Sequence, residues 1–154
     1  MKITLTACHC LLTLLLITTI NASAQTERPT TLNHIAVYVY DLKKSTDFYK
    51  DIIGFTVIPE PFHDGKHTWF KVGEHSQLHV IQGAQGVTDH DKNNHLCFSV
   101  SSIDNFIAIL NKNNIWFGNF AGDKDKITIR PDGVKQIYFK DPDGYWIEIN
   151  NDPY

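Results

Sequence analysis

The feature that most constrains this chain is an internal repeat. Asn33-His34-Ile35-Ala36-Val37-Tyr38-Val39 recurs 61 residues later as Asn94-His95-Leu96-Cys97-Phe98-Ser99-Val100. Each copy is Asn-His followed by strict alternation, the pattern of a half-buried strand. Ile35, Val37 and Val39 share one face, and His34, Ala36 and Tyr38 the other. In the second copy Leu96, Phe98 and Val100 oppose His95, Cys97 and Ser99. Each strand runs into a helix. Asp41 is placed to cap Leu42–Ile53, with Gly54 as its stop, and Ser101-Ser102-Ile103-Asp104 opens a second helix that Asn113-Asn114 ends.

Three further strands follow each helix. In the first half they are Phe55–Phe62, Thr68–Val72 and Gln77–Gln82. In the second they are Ile115–Phe120, Val134–Lys140 and Tyr145–Asn150, with Asp141-Pro142-Asp143-Gly144 turning the chain before the last. Gly83–Asn93 is polar and links the halves. The expectation is an α+β domain of two tandem βαβββ modules, about 31–83 and 92–151. Neither module buries its sheet alone, so the two pack together as a concave mixed sheet with the helices outside.

Four chemically competent side chains fall on the inward faces. The first strands supply His34 and His95. The last strands correspond as Leu78-His79-Val80 and Ile147-Glu148-Ile149, and supply His79 and Glu148. Three imidazoles and one carboxylate suit one divalent ion (Zn, Ni, Fe, Co or Mn) with a position left for water or substrate. Any one of these residues alone reads more simply as structural; the weight comes from equivalent places in two repeats. The other histidines of the domain, His63, His67, His75 and His90, fall in turn or linker sequence and are expected to be solvated, with His63 and His67 able to rim the cleft. Trp69 and Tyr138 are strand aromatics that can line a pocket, and Arg130 can hold an anionic substrate group.

Composition narrows the function. At 42% hydrophobic and 20% charged, the 154 residues can build a real core. A formal net charge of −3, without any Lys/Arg run, argues against nucleic acid as a partner. Residues 1–24 read as an export leader: Met1-Lys2, an apolar run from Leu11 to Ile20, then Ala22-Ser23-Ala24. The expected mature domain is 25–154, periplasmic or secreted, with no membrane association once the leader is removed. It would keep Cys97 alone of the three cysteines, so no internal disulfide.

The stretches LNHIAVYVYDLKKSTDFYKDIIGF, QLHVIQG, NHLCFSV and KDPDGYWIEI resemble the vicinal oxygen chelate superfamily, which includes glyoxalase I, methylmalonyl-CoA epimerase, extradiol dioxygenases, and fosfomycin and bleomycin resistance proteins. The resemblance covers nearly all of residues 31–150, and KDPDGYWIEI is especially close to glyoxalase I. It implies that His34, His79, His95 and Glu148 are metal ligands. It also implies a lyase or isomerase acting on a small substrate with vicinal oxygens, Glu148 moving the proton, in a homodimer. Two features depart from glyoxalase I: that enzyme usually has Glu at the place of His79, and its glutathione adduct is a cytosolic substrate. The alternatives are an iron-dependent extradiol-type dioxygenase, with His34, His95 and Glu148 on the metal and His79 outside it, and a small-molecule binding protein without turnover.

Overall fold

The computed structural model describes residues 30–153. The expected leader, 1–24, lies outside them. Two four-stranded sheets form, each with two parallel neighbours and two antiparallel pairings. The first sheet contains β1 (His34–Val39), β2 (Thr56–Ile58), β3 (His67–Val72) and β4 (Ser76–Gln82), in the order β1-β4-β3-β2. The second contains β5 (His95–Ser99), β6 (Thr128–Ile129), β7 (Lys135–Lys140) and β8 (Trp146–Asn150), in the order β5-β8-β7-β6. In both, the first strand runs parallel to the last, β1 with β4 and β5 with β8. This is the tandem βαβββ arrangement, and among the described residues no helix is long and apolar enough to cross a membrane.

Helix α1 (Leu42–Asp47) starts where the Asp41 side chain accepts from Lys44 N at 3.0 Å. It continues through Phe48–Ile52 as a wider, π-helical turn closed by Ile53 N donating to Phe48 O, and ends at Gly54, whose φ of 86° is left-handed. The wide turn buries Phe48 and Tyr49 together. Helix α2 (Ile103–Lys112) is capped by Ser102, whose hydroxyl accepts from Asn105 N, and buries Ile103, Phe106 and Leu110.

Two expected strands differ. Phe55–Phe62 is a strand only at Thr56–Ile58, because Pro59 and Pro61 have no N–H to give a ladder. Ile115–Phe120 makes no strand; Gly118 forms isolated bridges to Lys124 and Tyr138, and Thr128–Ile129 takes the edge of the second sheet instead. A side chain at Gly118 would press on the Asp123 carbonyl and the Trp116 ring, so the backbone is folded tightly on itself there.

The core is a single cluster spanning both modules. Val37, Val39, Phe70, Leu78 and Val80 from the first sheet join Ile137, Phe139, Ile147 and Ile149 from the second. Each such side chain, fully buried, stabilises the fold by about 1.5–3 kcal/mol. The modules are also pinned by polar contacts. The Asp141-Pro142-Asp143-Gly144 turn reaches α1, where Tyr49 Oη donates to Asp141 at 2.7 Å and Ser45 Oγ donates to Asp143. Asp143 also accepts from Tyr40 N. The linker crosses this turn closely: a Cβ on Gly144 would collide with the Thr88 carbonyl, and φ there is 90°.

Candidate functional site

The alternation assigned to the strands holds. Leu78 and Val80 enter the core while His79 faces the other way, and Ile147 and Ile149 do the same around Glu148. The four predicted ligands arrive as two pairs, one per sheet.

On the second sheet His95 Nε2 stands 3.2 Å from Glu148 Oε2. His95 Nδ1 is 2.7 Å from the Lys92 carbonyl, which can only accept, so Nδ1 carries a proton. In the neutral ring, Nε2 then points a lone pair at a carboxylate oxygen. Glu148 is almost fully buried, and burial alone would raise its pKa. Hydrogen bonds from Tyr138, Asn150, Cys97 and Gln136 outweigh that and hold the carboxyl below its usual range. Tyr138 Oη donates to Oε2 at 2.7 Å, while Gln136 Nε2 and Asn150 Nδ2 donate to Oε1 at 2.6 and 3.0 Å. Burial first, then the Glu148 charge, push the Cys97 thiol up to about 12, so it stands as a neutral S–H donating to Glu148 Oε1.

On the first sheet His34 and His79 stack with centroids 4.1 Å apart, and Trp69 stacks on the other face of His79 at 4.0 Å. His79 Nε2 meets Gln77 Oε1 at 2.8 Å, and His34 Nδ1 meets Asn33 Oδ1 at 2.7 Å. Each ring therefore keeps its other nitrogen for a metal. Burial first, then the charges of His34 and His67, lower the His79 pKa. A cavity of about 550 Å³ opens beside this row, lined by His34, His79, Trp69, Phe62 and His67.

The pairs belong to different sheets, and among the described residues no three His, Cys, Asp or Glu side chains gather closely enough to hold an ion within one chain. The donor chemistry nonetheless fits a divalent cation. An imidazole Nε2 and a carboxylate oxygen facing each other at 3.2 Å suit a positive charge between them, and each histidine has one ring nitrogen tied, as metal-ligating imidazoles do.

The remaining candidates divide. Trp69 lines the cavity. Tyr138 is buried and serves Glu148. Arg130 is held by Asp132 and, at 3.1 Å, by Asp152, so its carboxylate-binding fork is already filled. His63 and His75 are solvated, with side chains 80% and 83% exposed. His90 instead stacks on Tyr145 at 4.0 Å, and His67 belongs to β3 and the cavity. Gln136, Asn150 and the Lys92 carbonyl were not expected. The first two follow from strand register, since Tyr138 pairs with Glu148 and Gln136 with Asn150.

Residues 31–149 match the model of the glyoxalase/bleomycin resistance protein/dioxygenase superfamily. The chain belongs to this superfamily. Among curated relatives, the metallothiol transferase FosB of Staphylococcus epidermidis is 31% identical over 129 residues, covering 79% of this chain and 81% of FosB. The mitochondrial methylmalonyl-CoA epimerase of Mus musculus is 29% identical over 129 residues, covering 77% of this chain and 71% of the epimerase. Among solved structures, the oxidase ChaP-H2 superposes with a TM-score of 0.67 at 25% identity, covering 82% of this chain and 96% of that one. Within one superfamily these relatives carry different activities, so membership establishes the fold and leaves the reaction to the site.

Proposed function

We propose that this superfamily member is a metal-dependent lyase or isomerase acting on a small substrate with two neighbouring oxygens. The observation that carries the reading is the His95–Glu148 pair: an imidazole whose tautomer the Lys92 carbonyl sets, facing a carboxylate that its donors keep ionised. His34, His79, His95 and Glu148 would hold one divalent ion (Zn, Ni, Fe, Co or Mn). When bound, it would stabilise the negative charge that develops on a substrate oxygen.

The chain's own residues prepare that chemistry. Glu148 supplies fixed negative charge, and Tyr138, Gln136 and Asn150 keep it from turning away. The His34–His79–Trp69 row walls one side of the cavity with flat apolar surface and orients two ring nitrogens. Because the pairs sit on different sheets, a second copy of the chain is the proposed source of the complementary pair, which makes the working form a homodimer. The leader would send the protein out of the cytoplasm, to the periplasm or medium.

Metal analysis and metal titration of the purified protein test this reading. One divalent ion per site is expected, lost in His95→Ala and kept in His63→Ala. Retention of metal by His95→Ala would overturn it. The likeness to an oxidase supports a second reading, iron-dependent oxygenation with His34, His95 and Glu148 as ligands. Iron in the native protein together with oxygen uptake on catechol would favour that one.

A further inference from the structure

The cavity beside the aromatic row contains a histidine that the metal reading does not use. His67 opens β3, two residues before Trp69 and on the same face. Its side chain is 17% exposed, and His67 Nδ1 lies 2.9 Å from Asp64 Oδ1. A carboxylate only accepts, so Nδ1 carries the proton and Nε2 carries the lone pair. This is the arrangement in which an acid fixes the tautomer of an imidazole base.

The support around His67 is built. Asp64 Oδ1 also accepts from Lys66 N at 2.9 Å, which fixes the carboxylate in the β2–β3 loop. Glu60 accepts from Phe62 N and His63 N, at 2.6 and 2.9 Å, and shapes the same loop. That loop sets the Phe62 ring 4.6 Å from the His67 ring, over the cavity. Glu148, by contrast, accepts from Tyr138, Gln136, Asn150 and Cys97, which pins the carboxylate and occupies the lone pairs a base would use.

We propose that His67, oriented by Asp64, is the group that accepts the substrate proton in this cavity. The inference rests on the lyase or isomerase reading above and replaces Glu148 as the proton carrier within it. In the step, a C–H bond next to the substrate carbonyl breaks. Its proton goes to His67 Nε2, and its electron pair moves through the carbon framework onto the carbonyl oxygen. Return of that proton from His67 to the former carbonyl carbon, with the hydroxyl proton of the adjacent carbon passing to the former carbonyl oxygen as a new C=O forms, completes an isomerisation in which nothing is oxidised or reduced overall. Asp64 is a positioning residue: it touches His67 and not the substrate.

Two measurements test this on the full-length, metal-loaded protein. Long-range ¹H–¹⁵N spectra should show His67 protonated at Nδ1 with Nε2 bare, and Asp64→Ala should abolish that preference. A His67 protonated at Nε2 would overturn the proposal whatever the activity. The second measurement follows hydrogen–deuterium exchange of hydroxyacetone, a small molecule with two neighbouring oxygens, in D₂O. The wild type should accelerate exchange. His67→Ala should lower it by about 10²-fold or more, mainly in kcat and at unchanged metal content, and added imidazole should restore part of it without accelerating the wild type. Exchange at the wild-type rate in His67→Ala, or a loss that imidazole does not restore, would overturn this role for His67 while leaving the metal reading intact. A metal-loaded wild type that is silent would overturn the lyase reading and this inference with it.

Discussion

The two oxygens of Glu148 meet different company. Oε1 accepts from Gln136, Asn150 and Cys97, while Oε2 accepts from Tyr138 and stands beside His95 Nε2. Glutamine satisfies most of this environment in one orientation. Its carbonyl takes the place of Oε1 and its NH₂ faces Tyr138 Oη and His95 Nε2, but the Tyr138 O–H then loses its acceptor. Glu148→Gln should therefore still fold, at a cost of about 1–3 kcal/mol, yet present N–H where a metal needs an anionic oxygen. A loss of metal affinity of about 10²-fold or more is expected by titration. Tyr138→Phe removes one donor, and its cost depends on pH. The folded-state pKa of Glu148 is lowered, so its ionised form adds stability above the unfolded carboxyl value of 4.5, and that stability is lost as pH falls through the folded value. Urea melts should show Tyr138→Phe destabilised by about 1–3 kcal/mol at neutral pH, and by less as pH falls below the unfolded carboxyl value of 4.5 and through the folded one. An equal deficit at neutral and acid pH would contradict the assigned charge state.

At the scale of elements, the turn 141–144 is a polar join between the modules. Asp141 accepts from Tyr49 Oη on one oxygen and from the Asp143 and Tyr145 amides on the other, and its burial raises its pKa despite these bonds. Asn keeps the two amide contacts and brings no charge to bury, but its NH₂ faces Tyr49 Oη and leaves the Tyr49 O–H without this acceptor. Asp141→Asn should therefore cost less than Asp141→Ala, which strands the buried donors and should cost about 2–3 kcal/mol in denaturant unfolding. Gly144→Ala adds a collision with the linker to a left-handed φ and should cost about 1–3 kcal/mol. The sequence announced this turn but not what it docks against. Periodicity reports which face of a strand is buried, so β1, β4, β5 and β8, with their inward His34, His79, His95 and Glu148, were legible. It reports nothing about edges: β2 is cut short by its prolines, and β6 forms from two residues with no alternation to read. Side chains that act across a register, such as Gln136 and Asn150, stay hidden until the pairing is known, and His67 reads as turn sequence until β3 is seen to begin with it.

For the whole molecule, what matters is that each sheet carries half of the proposed ligand set, His34 with His79 and His95 with Glu148. If the halves are joined between two copies, each copy gives one pair to each of two sites. Light scattering should then report a mass of two chains. Mixing two inactive variants, His34→Ala and His95→Ala, gives a sharper outcome. Neither homodimer should hold metal firmly, because each site lacks one ligand. The mixed dimer should contain one site with all four ligands and one lacking two. Unfolding and refolding the variants together should therefore recover metal in a minority of sites, at most about one quarter by random pairing. No recovery would place the complete ligand set within a single chain.

The Lys92 carbonyl fixes the tautomer of His95 from three residues away, and it does so with an atom every amino acid carries. The side chain at position 92 can therefore change without disturbing that contact, provided the backbone keeps its path. What the contact does not tolerate is a change in chain length. Removing or inserting a single residue between the Trp146-bound His90 carbonyl and His95 would turn a different carbonyl, or none, towards Nδ1. For this centre, insertions and deletions in the linker are the damaging mutations, and a library of point substitutions at position 92 would make the segment look dispensable.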